Sequence, residues 1–112
     1  MERQPHILVA NEPGTYRHML ATELPTLRPS LHIHPIDPTD LDAAVAQFRP
    51  LLVISSRMSE VVRSLGAASI VLYPDGSDQA VVESAGQSWV LPSPRLADLL
   101  GAIDNIVGAA GI

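Results

Sequence analysis

The polar pair Asn11-Glu12 follows directly on the apolar run Ile7-Leu8-Val9-Ala10, and Ser55-Ser56 follows Leu51-Leu52-Val53-Ile54 in the same way. Buried parallel strands that end like this deliver side chains to the carboxyl edge of an α/β sheet, where such folds place their sites. A carboxylate and two hydroxyls gathered there have two chemistries open to them. They can help to hold a hard cation, or a hydroxyl can attack as a nucleophile if a base stands beside it. Tyr73 ends a further apolar run and reaches the same edge, so Asn11, Glu12, Ser55, Ser56 and Tyr73 define one candidate cleft.

Other residues carry chemistry more weakly. The loop Asn11 to Arg17 opens a helix and could hold an anion, with Thr15 and Arg17 helping. It contains a single glycine, however, and a capped helix start is the simpler reading. Ser55 and Ser56 lack a Gly-x-Ser-x-Gly elbow and a triad, so capping the helix around Met58 is their expected task. His32 and His34 alternate with Leu31 and Ile33, which puts both imidazoles on one face of a strand. Such a pair suits zinc or nickel but needs a third ligand. The sequence offers only His6 or Asp37 without deciding between them, so no metal site is assigned. His18 falls on a helix surface. Trp89, the sole tryptophan, is either a partner-binding anchor or a packing residue against the last helix.

Composition narrows the chemistry further. All seven basic residues are arginine, there is no cysteine, and the formal net charge is −5. Without lysine there is no Schiff base, and without cysteine there is no thiol nucleophile or zinc thiolate. The acidic balance and scattered arginines exclude a nucleic-acid footprint. No apolar run reaches membrane-span length, and Met1 to Gln4 does not read as a signal peptide, so a cytoplasmic location is expected. No cofactor is called for. At 112 residues the chain reads as one domain, residues 1–112.

The elements that must position these residues follow from pattern. Pro13 suits the first position of a helix capped by Asn11 or Glu12, with Tyr16, Met19, Leu20 and Leu24 on one face and Pro25 closing it. Leu31 to Ile36 is a short strand that Pro35 sends to an edge. Asp37-Pro38-Thr39-Asp40 starts a helix faced by Leu41, Ala44, Val45 and Phe48. Leu51 to Ile54 is a central strand. Met58, Val61, Val62 and Leu65 form a helical stripe that Gly66 ends, and Ser69 to Tyr73 is a fourth strand. Ala80 to Ser84 and Ser88 to Leu91 then pair about a Gly86-Gln87 turn. Ser93-Pro94 opens a final helix, and Gly108 to Ile112 is expected to fray. Successive βα units imply a parallel sheet in the order 2-1-3-4, with helices on both faces.

With the elements placed, the chain resembles a receiver domain of the response-regulator, chemotaxis-regulator-like superfamily. Ile7 to Glu12 resembles that family's first strand and acidic pair. Arg49-Pro50-Leu51-Leu52-Val53-Ile54-Ser55-Ser56 resembles its third strand, which in the family ends in the phosphorylated aspartate. The likeness runs over about residues 5 to 73, and more loosely over the last helix. It implies a three-layer, flavodoxin-like α/β fold extended by an antiparallel hairpin. It also implies a pseudo-receiver: Ser55 or Ser56 replaces the phosphoacceptor carboxylate, Asn11 neutralises half of the acidic pair, and the family's lysine is missing. The expected function is therefore a non-catalytic, phosphorylation-independent signalling or interaction module, whose partner is another protein or a second copy in a homodimer. The alternative is a small-molecule or anion-binding domain with its site at the strand tips.

Overall fold

The apolar runs become neighbouring strands. In the computed structural model, which describes residues 5–109, the elements are β1 (His6–Ala10), α1 (Gly14–Leu27), β2 (His32–Pro35), α2 (Leu41–Phe48), β3 (Leu52–Ser55), α3 (Glu60–Ser64), β4 (Ala68–Leu72), β5 (Gln79–Ser84), β6 (Gln87–Pro92) and α4 (Leu96–Ala109). Single 3-10 turns at Pro38–Asp40 and Pro74–Gly76 complete them. The six strands form one mixed sheet in the order β2-β1-β3-β4-β5-β6. The first four in that order are parallel, and β4, β5 and β6 are antiparallel neighbours.

Strand alternation divides the core into two layers. Ile7, Val9, Leu52, Ile54, Ile70 and Leu72 face Leu20 and Leu24 of α1 and Leu99, Ile103 and Ile106 of α4. Leu8, Ala10 and Val53 face Leu41, Ala44 and Val45 of α2 and Val62 of α3. β1, β3 and β4 carry apolar residues on both faces because both faces are covered there. β2 lies at the edge, as Pro35 requires. The N–H groups of His32 and Ile36 donate to Pro5 and Val9, so alternation turns the Pro35 nitrogen away from β1.

Several expected boundaries move, each for a local reason. Pro25 lies inside α1 and does not close it. Leu24 is fully buried and its carbonyl accepts from the Arg28 N–H at 2.8 Å, so packing carries the last turn past the proline. Pro13 stands one place before the helix, and neither Asn11 nor Glu12 caps it through its side chain. α3 has only five residues; Ser59, and neither Ser55 nor Ser56, is its cap, accepting from the Val62 N–H at 3.4 Å. Leu65 leaves the apolar stripe and is 48% exposed. The hairpin turns on Ala85-Gly86, one residue before the expected position. Both residues have positive φ, 53° and 78°, the backbone that a two-residue turn matched to strand twist demands. Gly108 and Ala109 belong to α4; the rest of the tail expected to fray lies outside the described residues.

Candidate functional site

The carboxyl ends of β1 and β3 do meet. Ala10 is in register with Ser55, and just beyond them the Glu12 N–H donates to Ser56 Oγ at 2.7 Å. They open on a cleft of about 760 Å³ whose lining includes Glu12, Arg17, Asp37, Asp42, Ser55 and Arg57. The sequence reading missed Asp37, Asp42 and Arg57, which enter through the β2–α2 connection, the first turn of α2 and the loop after β3. Their signal was the right-handed crossover, which brings the loops after β1, β2 and β3 to one sheet end.

The polar groups of this cleft are largely occupied with one another. Ser55 Oγ donates to the Arg57 carbonyl at 2.7 Å. Asp42 accepts from the Ser59 hydroxyl at 2.8 Å. Asp37 accepts from the Thr39 N–H at 3.0 Å and the Thr39 hydroxyl at 2.8 Å. Those two bonds, and then the Arg17 charge, hold the Asp37 carboxyl below its ordinary value. Arg17 also reaches the Asn11 carbonyl at 3.3 Å. Among the described residues, no three carboxylates converge on a common point here.

Two of the expected cleft residues stand apart from it. Asn11 is fully buried, and its side-chain oxygen and nitrogen have no hydrogen-bond partner among the described residues. Tyr73 has φ 53° and its ring stacks on Tyr16 at 6.1 Å, beside the α1 and α4 core. Burial, and then the neighbouring Tyr73 hydroxyl, push the Tyr16 phenol above its ordinary value. Trp89 is opposite Val82 and packs, half-buried, against the same core.

At the other end of β1 a tighter constellation forms. His6 is in register with His32, and Leu8 with His34, so the three imidazoles share the α2 side of the sheet. His6 Nδ1 and His34 Nε2 are 2.9 Å apart, one donating and the other accepting according to tautomer. The His6 and His32 rings meet edge to face at 5.1 Å. His34 stacks on Phe48 at 4.6 Å and 26°. Burial, and then the His6 and His32 charges, hold the His34 imidazole below its ordinary value. His6 is thus the third histidine that the sequence could not choose, and Asp37 has no place in the group.

No family model matches the chain, and neither a curated protein nor a solved structure matches it. Among the described residues, no helix is long and apolar enough to cross a membrane.

Proposed function

We propose that this chain is a non-catalytic, phosphorylation-independent interaction module built on a flavodoxin-like, receiver-type scaffold. One observation carries the reading. Where a receiver would present its phosphoacceptor carboxylate, the end of β3 presents Ser55 and Ser56, both bonded within the protein. A hydroxyl that is bonded to its own backbone, with no carboxylate trio to hold magnesium, is poorly disposed to accept a phosphoryl group. The sheet supplies a contact surface instead. β6 is the last strand of the sheet, and Val90 on it is 48% exposed. Such an edge suits strand addition by a protein partner or a second copy.

The test is incubation with acetyl phosphate and Mg²⁺ followed by intact mass. An unchanged mass is expected; a phosphate adduct contradicts the reading. Light scattering after size exclusion separates the partners, because a second copy gives a concentration-dependent dimer. A second reading, a small molecule in the strand-tip cleft, draws on the volume of that cleft. Its four acids, Glu12, Asp37, Asp42 and Glu60, outnumber Arg17 and Arg57, which favours a neutral or cationic ligand over an anion. A thermal-shift screen tests it.

A further inference from the structure

We propose that His6, His32 and His34 bind one late first-row transition dication of the zinc type, with an open coordination position facing solvent beside His32. One potential ligand nitrogen from each ring lies within 4.8 Å of the other two. In a tetrahedral set with Zn–N bonds of about 2.0–2.1 Å, ligand nitrogens lie about 3.4 Å apart. His6 Nδ1 and His34 Nε2, at 2.9 Å, need to part by only about half an ångström. The exposed His32 ring supplies the remaining adjustment.

The backbone places these rings before any ion arrives. The His6 carbonyl accepts from the Leu51 N–H of the β3 side at 2.9 Å, and the His32 N–H donates to Pro5 at 2.9 Å. His6 is thereby fixed on a strand paired on both sides, with His32 held beside it. Phe48 seats the His34 ring from α2. A site built on strands and backed by an aromatic ring keeps its geometry better than one carried on loops.

The donor set selects the ion. Three imidazoles suit zinc, nickel or copper and do not suit magnesium or calcium. Because His32 is exposed, the fourth position is open to water or to a side chain from a bound partner. Among the described residues, no carboxylate joins the cluster.

Equilibrium dialysis of the full chain against micromolar Zn²⁺, with metal analysis, tests this. One Zn²⁺ per chain is expected. His32→Ala, at an exposed position that leaves the core intact, should weaken binding by at least the roughly 10–100-fold that loss of an outer-sphere partner costs. His6→Ala should do the same, with circular dichroism confirming its fold, whereas His18→Ala on the exposed side of α1 should change nothing. Co²⁺ in place of Zn²⁺ should give the strong visible bands of a four-coordinate ion. No uptake, or uptake that survives His32→Ala, overturns the proposal.

Discussion

The two ends of β1 make opposite use of polar residues. At the carboxyl end, Glu12, Ser55 and Ser56 meet, but their hydrogen bonds close on one another and on nearby backbone. At the amino end, roughly 13 Å away at about 3.3 Å per residue, His6, His32 and His34 turn ring nitrogens toward a shared space. The carboxyl end is where parallel α/β sheets ordinarily keep their chemistry. The lesson is that position in a fold nominates a site, while convergence of ligating atoms on a shared space decides whether it can act.

The contrast can be broken at several points. The largest effect should come from zinc: at a hundredfold excess over its dissociation constant a ligand of the native state adds about 2.7 kcal/mol, roughly 10 °C in the thermal midpoint of a chain this size. Mg²⁺ at the same concentration should leave the midpoint unmoved, because the strand-tip carboxylates do not converge. Phe48→Ala should come next. Phe48 is half-buried, so a loss of about 2 kcal/mol is expected, less than the range for a fully buried phenylalanine. Denaturant unfolding measures it, and zinc affinity should fall along with stability because His34 loses its seat.

Ser56→Ala removes the acceptor of the Glu12 N–H and should cost about 0.5–1.5 kcal/mol in urea unfolding without altering zinc uptake. A change in zinc uptake would show that the two ends of β1 are not independent. The smallest effect is electrostatic. Asp104 meets Arg28 at 2.7 Å on the surface, and that bond holds its carboxyl below the ordinary 3.8. A depressed carboxylate contributes stability above its unfolded value and loses it as pH falls through the folded one. Near neutrality the parent should therefore melt slightly above Asp104→Asn, and thermal scans should show the two converging below about pH 4. Solvent screening keeps this contribution small.

Much of the architecture was legible in the sequence, because its signals were local. The runs Ile7–Ala10 and Leu52–Ile54 announced buried strands, Pro35 announced an edge, and Asp37-Pro38 announced a helix start; the strand order and the terminal hairpin followed. The departures arose where packing overrode a local signal. Leu24 buries itself and carries α1 through Pro25, and Ser59 caps α3 because its hydroxyl, unlike those of Ser55 and Ser56, reaches the first turn. The histidine site was half visible. Alternation placed His32 and His34 together, but the choice of His6 over Asp37 depended on the register of β1 against β2, which no spacing within either strand reveals. Tyr73 was drawn away from the cleft by its stacking on Tyr16, a contact between residues far apart in the chain.

The most direct single measurement is a Zn²⁺ titration followed in a two-dimensional amide NMR spectrum of the full chain. Saturating shifts at His6, His32, His34 and Phe48, with Glu12, Ser55 and Ser56 left in place, are the expected result. Shifts centred on the strand tips, or a spectrum that zinc does not change, would contradict the assignment of metal-binding chemistry to the amino end of β1.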